Sequence, residues 1–116
     1  MAALFDDDTT PRLKAYFWIA GYLRRCSAGG AFVALSRRGD TSAGAIFIEI
    51  LHDGGVDLWA PAAGGDGRVF ERVLADSPGW EVAERMEKEV RFDRDLWLVS
   101  VEDRKGRHFL ERGEHV

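Results

Sequence analysis

The chain has 116 residues, 46% of them hydrophobic and 31% charged, with a net charge of −4. A length of this order specifies one domain that buries roughly two-thirds of its unfolded surface without staples, and the composition excludes a disordered chain. The acidic balance opposes non-specific binding to DNA or anionic membrane, and the single cysteine, Cys26, excludes an internal disulfide and a thiolate zinc centre.

Residues 1–9 read as a loose arm, residues 10–112 as a single α+β domain and residues 113–116 as a tail. The acidic start, Met1 to Asp8, lacks the basic and apolar regions of a signal peptide. The longest apolar run, Ala15 to Leu23, is about half of what a membrane-spanning helix needs, so a cytoplasmic protein is expected. Thr10 offers an N-cap and Pro11 suits the first helical position. The helix is predicted to run from Pro11 to Ser27, with Leu13, Tyr16, Phe17, Ala20 and Leu23 on one stripe, and to stop at Gly29-Gly30. Cys26, late in this helix, is expected to be a buried structural thiol.

Strands are predicted at Ala31–Ser36, Ala45–Leu51, Val56–Ala60 and Arg68–Leu74. The second alternates Ile46, Ile48 and Ile50 with Phe47, Glu49 and Leu51, and His52-Asp53-Gly54-Gly55 turns it into the third. Short connections favour an antiparallel meander. A second helix starts at Ser77-Pro78 and runs to Arg91, burying Val82, Ala83, Met86 and Val90. A long strand follows at Leu96–Glu102, and Arg107–Glu111 offers a short return strand. The fold class is therefore α+β: an antiparallel sheet of about five strands, in the order α-β-β-β-β-α-β, with both helices packed on one face.

Two charged segments stand out. In Arg37-Arg38-Gly39-Asp40 and on to Gly44, the guanidinium forks of Arg37 and Arg38 beside Asp40 suit a carboxylate or phosphate; the alternative is a hairpin loop capped by Asp40. In Arg91-Phe92-Asp93-Arg94-Asp95-Leu96-Trp97, the carboxylates of Asp93 and Asp95 suit metal or acid–base work, or else cap the turn. His108, near Asp103 and Glu111, is the best placed of the three histidines for a ligand or general base. Trp18 and Trp59 are candidate interface residues, because their faces are not plainly buried by the pattern, and they equally suit the core. Gly64-Gly65-Asp66-Gly67 lacks a P-loop ending, and neither a Gly-x-Ser-x-Gly elbow nor a His-Glu-x-x-His stretch is present.

Further resemblance lies in the order of several stretches: Pro11-Arg12-Leu13-Lys14 opening a helix that ends in Leu23-Arg24-Arg25-Cys26; Arg37-Arg38-Gly39-Asp40 followed by Gly44; Arg91 to Val99; Glu102-Asp103-Arg104; and Arg107-His108-Phe109-Leu110. From Pro11 to Leu110 the chain resembles a family of short bacterial proteins, domain of unknown function 1491. The family's third segment reads Phe-Asp-Pro-Asp-Leu-Trp; Arg94 stands here in place of the proline, which loosens the turn and spares both carboxylates. The resemblance implies a cytoplasmic bacterial protein and brings no catalytic residues with it.

The expected function is a non-catalytic binding or adaptor module that docks a protein partner or forms a homodimer, with no cofactor, no metal and no membrane. One alternative is a small metal-dependent hydrolase or nuclease using Asp40, Asp93 or Asp95 with His108 and an arginine. Another is RNA or single-strand binding through Arg24, Arg25, Arg37 and Arg38, which the acidic charge disfavours.

Overall fold

The computed structural model describes residues 11–39, 44–65 and 67–116. Helix α1 (Pro11–Ala28) is followed by β1 (Phe32–Arg37), β2 (Ile46–His52), β3 (Gly55–Pro61), β4 (Phe70–Ser77), α2 (Gly79–Phe92) and β5 (Trp97–Glu102). This is the expected α+β order of two helices and five strands. Helix α1 ends where the glycine pair requires it: Gly30 takes φ 97° and the Ala31 N–H closes back on the Cys26 carbonyl at 3.1 Å, a Schellman stop. The Arg107–Glu111 segment does not form the return strand; it runs irregularly past α1.

The five strands form one sheet in the order β1-β5-β2-β3-β4. The meander holds for β2, β3 and β4, which pair antiparallel. It fails for β1, which pairs antiparallel with β5, while β5 lies parallel to β2 from Ile46↔Trp97 to Leu51↔Glu102. The reason is apolar demand. Trp97, Val99 and Val101 on one side of β5, and Leu98 on the other, need cover on both faces, so β5 takes an interior place and the half-exposed β1 takes the edge.

The helices also divide, where packing on one face was expected. Ala15, Ile19, Tyr22 and Cys26 of α1 pack on Ile46, Ile48, Ile50, Trp97, Val99 and Val101. Val82 and Met86 of α2 pack on the opposite face, against Phe47, Val56, Leu58, Ala60 and Leu96. Strand β2 carries large apolar groups in both registers, so each face of it requires a covering helix. Burial pushes the Cys26 thiol up to about 11, in keeping with a packed, unreactive side chain.

Candidate functional site

The two charged segments meet. The connection from β1 to β2 crosses the start of β5, because it must pass from one side of that strand to the other. Arg37 donates to the Arg94 carbonyl at 2.6 Å. The Ala45 N–H donates to Asp93 Oδ2 at 3.1 Å, and the Asp95 N–H to Asp93 Oδ1 at 3.0 Å. Asp93 thus spends one oxygen on each segment, the Asx-turn role that its junction position suggests. A Cβ on Gly44 would lie 1.8 Å from the Asp95 carbonyl oxygen, and one on Gly39 2.3 Å from both that oxygen and Trp97 Nε1, so only glycine fits at this crossing. Arg38 stands over the rings of Tyr16 and Trp97, at 5.5 and 6.0 Å. Asp40 lies outside the described residues. Asp95 contributes its backbone to the crossing.

Beside this junction the α2 face of the sheet is open. Helix α2 covers β3 and β4 and leaves β1, β5 and part of β2 exposed. A groove of about 510 Å³ runs between helix and strands, walled by Ala83, Met86 and Val90 and floored by Leu98, with Arg37 and Glu49 on the sheet side. A bulge between Leu35 and Arg37 brings Arg37 opposite Leu98, which is why the Arg37 guanidinium lines the groove. A second depression of about 290 Å³ continues from Glu49 over Ala34, Ser36, Ser100 and Phe32. Across its floor Ser100 donates to Glu49, so the Ser36 hydroxyl donates to Ser100, a polar seam that ties β1, β5 and β2 together. Phe32 is 79% exposed at its rim. The outer edge of β1 has no strand beside it among the described residues.

The other candidates sit on the α1 face. Trp59 is 6% exposed and so belongs to the core, not to an interface. Trp18 stacks on Tyr22 at 5.1 Å and donates Nε1–H to Glu114 at 3.1 Å, which seats it under the C-terminal segment. These rings fill a face covered by chain that has no regular structure, so a helix or strand period carries no sign of their burial. His108 lies 5.0 Å from Trp59 and 4.7 Å from His115, ring to ring, and its Nδ1 accepts from the Leu110 N–H at 2.8 Å. Asp103, expected beside it, is instead paired with Arg107 at 2.7 Å. His108 is thus held by Trp59, His115 and the Leu110 amide, whereas Asp93 serves the amides of Ala45 and Asp95.

The C-terminal segment is pinned by Arg25, which donates to the Phe109 carbonyl at 2.6 Å and to Glu114 at 2.9 Å. It also closes the start of β4, through Phe70 N–H to the Glu114 carbonyl and Val116 N–H to the Phe70 carbonyl. Burial lowers the pKa of His108 below its ordinary 6.5, and the positive charge of His115 and Arg72 adds to this. At Glu114 burial acts upward, but hydrogen bonds from Arg25, the Glu111 backbone and Trp18 outweigh it and hold the carboxyl below its usual range. Arg107 holds Asp103 low in the same way. All three groups release protons more readily when folded, so their contribution is full above the unfolded pKa and is lost as pH falls through the folded one. Stability measured by urea unfolding is expected to be level above about pH 7 and to decline first as His108 of the unfolded chain gains a proton near pH 6.5 while the folded histidine resists it. A second, steeper loss follows below about pH 4, in the carboxylate range. His108→Gln is expected to remove the first decline and keep the second; an unchanged profile in that variant would contradict the assignment.

A constellation that sequence reading missed joins the β2–β3 turn to the end of β4. Asp57, buried in the apolar run of β3, accepts from His52 Nε2 at 3.1 Å and from the Asp76 N–H at 2.8 Å. Asp76 Oδ1 lies 3.3 Å from the same His52 nitrogen. The ligand atoms of these three residues lie within 4.8 Å of one another, a spacing compatible with a cation. The hydrogen bonding opposes that reading. The Gly54 N–H donates to His52 Nδ1 at 3.0 Å, so the proton sits on Nε2 and points at the carboxylates, where a metal would need a lone pair. The sequence signal was an aspartate inside Val56-Asp57-Leu58-Trp59, since a charge in a buried strand must be partnered.

The fold and this site define a small α+β protein with a mixed five-stranded sheet. One face is covered by α1 and the C-terminal segment, the other half-covered by α2. Residues 13–111 match the family model described as protein of unknown function DUF1491, and the chain belongs to that family. It is similar to the crystal structure of a DUF1491 family protein from Caulobacter crescentus CB15, with 33% identity and a TM-score of 0.71 over 81% of this chain and 89% of that one. It is also similar to the solution structure of protein Atu0922 from A. tumefaciens, with 36% identity and a TM-score of 0.72 over 81% and 88% of the two chains. No curated protein matches the chain. No helix among the described residues is long and apolar enough to cross a membrane.

Proposed function

We propose that this protein is a non-catalytic docking module that receives a protein segment along the edge of β1, with side chains of that segment seated in the groove between α2 and the sheet. The observation that carries this reading is the coincidence of a strand edge, uncharged from Phe32 to Ser36 and with no strand beside it among the described residues, with an open, largely apolar groove next to it. Main-chain hydrogen bonds from such an edge supply affinity, and pockets beside it select side chains. Nothing in the arrangement of the described residues favours the hydrolase reading. Both oxygens of Asp93 already serve backbone amides, and His108 belongs to the Trp59–His115 cluster. Nor is there support for nucleic-acid binding at Arg25, which is committed to Glu114 and the Phe109 carbonyl.

Phe32→Glu tests the reading, because Phe32 is exposed and its replacement leaves the core intact. Affinity capture from native lysate is expected to yield a protein retained by the wild type and lost from the variant. The β1 amides should gain hydrogen-exchange protection in that complex. A partner held equally by both proteins, with no added protection on β1, would place docking elsewhere.

A further inference from the structure

Resting on the docking reading, we infer that the occupant of the β1 edge is a second copy of this chain, paired antiparallel through β1 about a two-fold axis normal to the sheet. Three observations point to self-pairing. The first is the contrast between the two sheet edges. At β4 the C-terminal segment closes Phe70, and the strand carries Glu71, Arg72 and Asp76, features that discourage pairing. The β1 run from Phe32 to Ser36 carries no charge and has no strand on its outer side among the described residues. A sheet with one pairing-competent edge closes on itself as a dimer, whereas two such edges would propagate a filament.

The second observation is self-complementarity. A two-fold axis normal to the sheet keeps each face continuous, so opposed residues must share a face and the axis must pass midway between one residue and its own copy. Centring it on Ala34 pairs the whole uncharged run. Ala34 then opposes its own copy, Val33 opposes Leu35 on the α1 face, and Phe32 opposes Ser36 on the α2 face. Apolar meets apolar on the covered side, the smallest side chain sits on the axis, and no charge faces a like charge. The third is aromatic exposure flanking the edge. Phe32 stands free on the α2 face, and Tyr16 of α1, 43% exposed, lies under Arg38 just beyond the far end of β1. Pairing of the two edges brings a second copy against both.

The test uses charge exchange at the axis. Ala34 is exposed, so Ala34→Lys and Ala34→Glu both fold. Sedimentation velocity of the wild type is expected to show twice the monomer mass as concentration rises. Each variant alone is expected to remain monomeric, because the axis sets two like charges directly opposite. An equimolar mixture of the two variants is expected to regain the dimer. Retention of the dimer by either variant alone would overturn the inference. A wild type that stays monomeric at every concentration would overturn it too. In that case the docking reading stands if captured partner still protects the β1 amides, and falls with the inference if it does not.

Discussion

Trp97→Ala is expected to lower the unfolding free energy by about 3–5 kcal/mol, the range for removing a large buried aromatic. Trp97 is fully buried at the start of the interior strand β5 and is the largest such side chain among the described residues. Its ring supports two layers at once. Below, it joins Ile46, Ile48 and Val99 against α1; above, Gly39 passes so close to the indole that no Cβ fits between them. Truncation therefore leaves a void under the very crossing that lets β1 and β2 lie on either side of β5. Thermal unfolding is expected to shift down by about 10–20 °C. A shift below about 4 °C would mean that the crossing collapses onto the void and that Trp97 is not its support.

The second large effect is expected at Asp93. Asp93→Ala strips the acceptor from two backbone donors, Ala45 N–H and Asp95 N–H. Hydrogen bonds to a charged acceptor are worth roughly 1.5–3 kcal/mol each, and the freed donors are part-buried, so a loss of about 2–4 kcal/mol in chemical denaturation is expected. Asp95→Ala provides the contrast. Asp95 meets the crossing through its carbonyl, which alanine retains, so the change is expected to stay within about 0.5 kcal/mol. Equal effects from the two substitutions would show that charge, not amide capping, holds the junction.

The sequence reading reached the junction but not its geometry. Arg37–Gly44 and Asp93–Trp97 stood out because each packs charges and turn formers between regular elements, and a turn role for Asp93 was among the readings. That the two segments touch depends on β5 inserting between β1 and β2, a long-range pairing that no local pattern encodes. The hairpin of β2 and β3 was legible because His52-Asp53-Gly54-Gly55 joins two short alternating runs. The stop of α1 was legible because a glycine pair is required there. The division of the helices between the faces left a trace in β2, where Phe47 and Leu51 are as apolar as the isoleucines between them. Trp59 and Trp18 could be assigned to neither core nor interface from sequence, because what lies over them is an irregular C-terminal segment, whose path over α1 is set by Arg25 and Glu114 and not by any period.

The placement of β5 also bears on how the chain is made. Strand β1 leaves the ribosome early, yet its hydrogen-bonding neighbour starts at Trp97, some 60 residues later. Until that last strand arrives, β1 has no strand on either side among the described residues and β2 lacks its neighbour on one side. Synthesis therefore carries an interval in which an uncharged, β-prone run is held apart from its mate. A nascent chain halted before residue 97 is expected to lack a completed sheet, because the missing strand lies between β1 and β2 and not at the rim.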